Sequence, residues 1–285
     1  MNVHRPWRLL AFSCVAAAVP SARADVPAVV APPGRHVTVS LVSEDDAVQP
    51  GKPLTVGIRL QMQPGWHTYW RNPGDSGLPT RARWTLPAGF EAGEIRWPRP
   101  MRFKFGPVQS FGYETEVVLP VEIKVPASAA GPEVRFAVHV DWLECQEACL
   151  PGKADLSLAL PVRATARPGP QAALVAAARA LLPATDSAWR FSAAPSGDAV
   201  VLTVQPPRGS SFDDAWFYPL LPHVLDHAKA QQAVRGPAGY RITLTRDPNG
   251  TLPDRLQGVL ALRAAGVERA LVVDARMGAN TTTQD

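Results

Sequence analysis

Val138-His139-Val140-Asp141-Trp142-Leu143-Glu144-Cys145-Gln146-Glu147-Ala148-Cys149-Leu150-Pro151-Gly152 is the stretch on which the reading of this chain turns. Residues 138–143 alternate and are rich in β formers. Gln146-Glu147-Ala148 breaks the pattern, Pro151-Gly152 punctuates it, and residues 154–160 alternate again. On one straight strand the two cysteine Cα atoms would lie about 13 Å apart, at about 3.3 Å per residue. A disulfide needs them within about 7 Å. Either the thiols never pair, or the chain turns between them, and the sequence favours a hairpin with the cysteines facing each other at its mouth. A loop this small gives a disulfide little chain entropy to remove, which favours a redox pair over a structural staple. Ligation of a soft metal ion is the third use open to two thiols.

Working outward, short alternating runs separated by Pro, Gly, Asn or Asp fill most of the chain. Thirty prolines and twenty-one glycines argue against a helical bundle. Strands are expected at residues 37–43, 54–63, 81–86, 94–97, 117–125, 134–143 and 154–162, about what one immunoglobulin-like sandwich takes. Gly65-Trp66-His67-Thr68-Tyr69-Trp70 reads as core and edge packing, and residues 71–77 as a loop. A second β pattern covers 188–275, with strands expected at 189–193, 199–205, 240–245, 258–262 and 270–274. Helices are expected at 171–182, a run of alanine and leucine ended by Pro183, and at 222–232. The domain organisation is therefore a first sandwich over 25–163, a linker and short helix over 164–187, a smaller, mainly β domain over 188–275 and a disordered tail over 276–285. The fold class is all-β.

Residues 1–24 read as a cleavable signal peptide. Arg5 and Arg8 form a positive start, residues 9–19 are apolar, and Ala22-Arg23-Ala24 supplies the small residues before the cut. The apolar run is far shorter than the roughly 20 residues of a membrane span. The mature protein is thus expected to be soluble and exported. Cys14 leaves with the signal, so Cys145 and Cys149 are the two of three cysteines that remain, an even number in an oxidising compartment. Arg5, Arg8 and Arg23 leave too, with no acid, so the formal charge of +4 falls to +1. That balance, with no basic cluster, excludes nucleic acid as a partner.

The catalytic candidates are Cys145 and Cys149. Glu144 and Glu147 beside them would raise a thiol pKa and hold back the thiolate. His36, His67 and His139 read as structural or solvated rather than as ligands. His223 and His227, four apart, would share a helical face but lack a third ligand. Residues 188–275 contain no cysteine and no catalytic constellation, so the sequence predicts that they are dispensable for thiol chemistry. No metal site and no cofactor are assigned. Besides redox exchange, two readings stay open: a periplasmic copper-binding protein using the cysteine pair, and a non-catalytic sandwich with a structural disulfide.

Residues 65–79, reading Gly65-Trp66-His67-Thr68-Tyr69-Trp70-Arg71-Asn72-Pro73-Gly74-Asp75-Ser76-Gly77-Leu78-Pro79, resemble the periplasmic amino-terminal region of ScsB-type proteins. So do Phe111-Gly112-Tyr113-Glu114, Leu119-Pro120-Val121 and Asp141-Trp142-Leu143-Glu144-Cys145. These proteins are relatives of the thiol:disulfide interchange protein DsbD, and the resemblance runs from about residue 35 to 275. It implies an immunoglobulin-like domain with one redox pair, matched here by Cys145 and Cys149. Such a domain takes electrons from a membrane-embedded donor of the DsbD/ScsB type and hands them to thioredoxin-like acceptor proteins in the periplasm, without a small-molecule cofactor. It also implies an aromatic cap loop over the pair, for which Met101-Arg102-Phe103-Lys104-Phe105-Gly106 supplies Phe103 and Phe105. The Cys-x3-Cys spacing is tighter than in DsbD itself. The chain ends where the family's membrane domain would begin, so a whole product would draw on a separate membrane protein and a fragment on its missing part.

Overall fold

The computed structural model describes Met1, residues 36–237 and residues 239–279. The signal-peptide reading, apart from Met1, and the last six residues of the expected tail lie outside the described residues. The first ten strands are β1 (Val37–Ser43), β2 (Leu54–Met62), β3 (His67–Gly74), β4 (Arg81–Thr85), β5 (Glu91–Ala92), β6 (Met101–Phe105), β7 (Val108–Glu114), β8 (Glu116–Lys124), β9 (Glu133–Cys145) and β10 (Cys149–Pro161). One sheet runs β1-β2-β8-β5. The other runs β10-β9-β3-β7-β6, with β4 added on β9. Val134, Phe136, Val138, Val140 and Trp142 alternate along β9 and point inward, where they meet Val56, Ile58, Leu60, Leu119 and Val121 of the other sheet. This is the immunoglobulin-like sandwich. Its cohesion is apolar burial at roughly 25 cal/mol per Å².

Helix α1 (Ala172–Ala180) follows. Its buried Val175 and Ala178 pack on Val42 and Val118, and Arg179 pairs with Glu44, so the helix is docked on the first sandwich. Seven further strands are β11 (Arg190–Ser196), β12 (Ala199–Gln205), β13 (Asp214–Pro219), β14 (Gln232–Gly236), β15 (Gly239–Thr245), β16 (Arg255–Ala264) and β17 (Val267–Arg276). They form the sheets β11-β12-β15-β14 and β13-β16-β17, the second, smaller, mainly β unit.

Several expected elements change. Residues 222–232 are not helical: His223 adopts φ 56°, outside the helical region, and Asp226 N–H donates to the Thr245 carbonyl instead. Residues 94–97 are not a strand. Strands β3 and β6 come from stretches read as packing or loop, and β7, β13 and β14 from stretches where no strand is expected. In β13, the run Ala215-Trp216-Phe217-Tyr218 is apolar throughout because both of its faces are buried. Ala215 and Phe217 enter the core of the second unit, while Tyr218 joins the core that holds Trp70 and Phe111. A strand covered on both faces loses the alternation that reveals a half-buried one.

The two units are thus joined by packing. Tyr218 meets the rings of Trp70 and Phe111 edge-on, at centroid distances of 6.1 and 5.1 Å. Asn72 Nδ2 donates to the Pro219 and Leu221 carbonyls at 2.8 and 3.2 Å. Residues 188–275 carry no thiol, yet they cover part of the first unit's core. Tyr218→Ala is expected to cost about 3 kcal/mol of stability, the range of large-to-small aromatic changes in a core. Urea unfolding of the full chain checks this, and a loss below about 0.5 kcal/mol, the range of surface changes, would mean that the two units do not share a core.

Candidate active site

Cys145 ends β9 and Cys149 begins β10, and the two are direct register partners. The three intervening residues reverse the chain, with Gln146 N–H donating to the Ala148 carbonyl at 3.2 Å. The Cα atoms lie 4.2 Å apart and the sulfurs are bonded. Gly65, at φ 81°, passes so close to this loop that a Cβ would stand 2.7 Å from Gln146 Nε2. Gly152 does the same for the stem, since a Cβ there would overlap the Trp142 indole.

On the other side of β9, His67 of β3 is the register partner of Cys145. Directly opposed residues on adjacent strands project to the same face of a sheet, and Tyr69, two residues on from His67, shares that face. His67, Tyr69, Cys145 and Cys149 are thereby gathered together. Tyr69 Oη lies 3.6 Å from Cys149 Sγ and 3.3 Å from His67 Nε2. The Tyr69 ring lies against Gly77, where φ is 114° and a Cβ would fall inside the ring. Phe103 and Phe105 of β6 stack on the His67 imidazole at centroid distances of 4.7 and 5.3 Å.

The two sulfurs are unequally placed. Cys145 is 2% exposed, whereas Cys149 opens the exposed run that starts β10. Phe103 is buried and Phe105 is 47% exposed. Burial lowers the His67 pKa and raises that of Tyr69, so the groups lining the disulfide are neutral near pH 7. Glu144, fully buried, accepts from Trp142 Nε1 at 2.9 Å and from His36 N–H at 3.2 Å. It is occupied on the core side of β9, away from the disulfide face, and Glu147 is exposed.

The expected cap loop is a strand. Met101, Phe103 and Phe105 alternate with Arg102 and Lys104, a period-two signal that reading the stretch as a loop passed over. His67 and Tyr69 also went unassigned, because their string of aromatics reads as packing. His139 bonds Asp155 and Asp141 on the surface. His223 pairs with Asp247 and His227 with Asp75, so the two do not converge. Among the described residues no group of three or more His, Cys, Asp or Glu is arranged to hold a metal ion.

Residues 38–161 match the family model described as thiol:disulfide interchange protein DsbD, N-terminal. The fold of the N-terminal periplasmic domain of ScsB from Proteus mirabilis is similar, with a TM-score of 0.62 at 20% identity, over 85% of this chain and 94% of that one. The reduced DsbD N-terminal domain of Neisseria meningitidis aligns with 45% of this chain and 90% of its own at 14% identity, with a TM-score of 0.24. No curated protein sequence matches the chain. Within the DsbD N-terminal match, the paired cysteines stand at the hairpin mouth, near the end of the matched residues. Among the described residues no helix is long and apolar enough to cross a membrane.

The buried imidazole makes stability depend on pH. The unfolded chain binds a proton at His67 below its ordinary pKa of 6.5, and the folded chain resists it, so stability falls as pH drops below about 6.5. The loss is at most about 1.4 kcal/mol per pH unit. In urea unfolding at pH 7.5 and 5.5, His67→Gln is expected to show a smaller drop than the parent. Equal drops would show that His67 takes its proton as readily folded as unfolded.

Proposed function

We propose that the protein is a periplasmic thiol–disulfide exchange module whose Cys145/Cys149 dithiol relays electrons from a membrane-embedded DsbD/ScsB-type donor to thioredoxin-like acceptor proteins. The observation that carries this reading is the asymmetry of the pair: one sulfur faces solvent and the other is enclosed behind it. The match of residues 38–161 to the DsbD N-terminal model supports the chemistry, and the neutral lining supports a pair that reacts when a partner docks.

In the reduced form the Cys149 thiolate attacks one sulfur of the acceptor's disulfide. The acceptor's S–S bond breaks, a mixed disulfide forms, and one acceptor sulfur leaves with the electron pair and takes up a proton. Cys145, losing its proton, then attacks Cys149 Sγ and releases the second acceptor thiol. Two electrons and two protons pass to the acceptor, and the module is left as the disulfide. The donor's dithiol restores it by the reverse sequence. Tyr69 acts on the sulfur that changes charge: its hydroxyl donates toward Cys149 Sγ and favours the thiolate. His67 positions Tyr69. Phe103 and Phe105 form an aromatic lid on the same face, and Phe105 is exposed enough for a partner to displace.

Cys145→Ala is expected to accumulate a partner as a mixed disulfide through Cys149, and Cys149→Ala to capture little. Non-reducing gels with mass spectrometry read the outcome, and capture through Cys145 alone would reverse the assignment. Tyr69→Phe is expected to raise the midpoint of Cys149 alkylation with pH by on the order of one unit. An unchanged midpoint would remove Tyr69 from the chemistry.

A further inference from the structure

We propose that the second unit is a clamp that sets the pose of the β6–β7 hairpin, and through it the access of thiols to Cys149. This rests on the reading of Phe103 and Phe105 as the lid. The hairpin carries both rings, and the residues from 214 to 227 hold it from three sides.

Arg102, next to Phe103 on β6, places its guanidinium 3.9 Å from the ring centroid of Trp216 on β13, a cation–π contact. On β7, Phe111 lies edge-on to Tyr218. The third hold runs through His227, which is 5% exposed. Its Nδ1 meets Asp75 Oδ1 at 2.9 Å, and its ring stands edge-on to Phe111 at 5.0 Å. The other oxygen of Asp75 accepts the Gln109 backbone N–H at 2.8 Å, and Gln109 Nε2 donates to the Phe103 carbonyl at 2.7 Å. The path from His227 to the lid is therefore hydrogen-bonded at each step: His227 to Asp75, Asp75 to Gln109, Gln109 to Phe103. The hairpin needs such support. Among the described residues strand β6 pairs only with β7 and ends the sheet, Phe105 is half in solvent, and edge hairpins open locally at low free-energy cost. A unit with no redox group thus acts on a redox site by holding its cover.

The test is the rate at which dithiothreitol reduces the Cys145–Cys149 disulfide in the full chain. Arg102→Ala combined with His227→Ala is expected to speed reduction about three- to tenfold, as the loss of two modest contacts implies. Amide hydrogen exchange over residues 101–109 should rise with it while near-UV circular dichroism stays that of the folded protein. Arg255→Ala, which loses the ion pair to Asp274 and a hydrogen bond to its carbonyl, far from the hairpin in the strand pairing of β16 with β17, should leave the rate unchanged. Phe105→Ala probes the lid by itself. If it accelerates reduction and the folded double variant does not, the clamp is overturned and the lid stands. If neither accelerates reduction, the lid reading fails and takes the clamp with it. Should the double variant not fold, Arg102→Ala, at an exposed position, decides by the same rate, and an unchanged rate overturns the clamp.

Discussion

Two thiols four residues apart meet only where the chain reverses within three residues, and the β9–β10 register imposes that reversal. The pairing extends unbroken from Pro161↔Glu133 to Cys149↔Cys145, so the long stem fixes where the short loop must form. A slip of one residue would turn every side chain of the hairpin to the opposite face. It would put Trp142 and Val140 in solvent. The apolar face of β9 therefore guards the geometry of the cysteines. Burial of five large side chains holds the register, and the register holds the sulfurs together.

The same sheet logic gathers the rest of the site. Strand β3 lies beside β9 at the cysteine end, which places His67 across from Cys145 and Tyr69 within reach of Cys149. Further along, β3 and the loop after it supply Trp70, Asn72 and Asp75 to the second unit. One strand thus serves the disulfide at one end and the junction between units at the other. Glycines make the close approaches possible. Gly112 carries no side chain where a Cβ would strike the Thr68 carbonyl, and this lets β7 lie tightly on β3.

Much of this was legible in the residues. Alternation located β1, β2, β9, β10, β12 and β15 closely, and the helix near residue 172. The break between Leu143 and Ala154 located the hairpin. The motif strings around residues 65–79 and 141–145 pointed to the DsbD N-terminal family. The misses share a cause. Where both faces of a strand are covered, as at Trp216 to Tyr218, or where polar and aromatic residues alternate on an exposed edge, as at Met101 to Phe105, the pattern reads as cluster or loop. Residues 222–232 have helical composition, but the bridge of Leu225 to Arg246 and the left-handed His223 take the segment another way.

By itself the sequence determined the β class and favoured a reversal between Cys145 and Cys149, because these depend on side-chain period and on contacts a few residues apart; the bond between the two sulfurs is a finding of the structure. Only the tertiary structure decided that Cys149 is the exposed sulfur, that His67 and Tyr69 line the site, and that Tyr218 and His227 reach across from the second unit. Those facts depend on which strands become neighbours. The contact from Tyr69 to Cys149 spans 80 residues and that from Asp75 to His227 spans 152, and no local pattern encodes a partner at that distance.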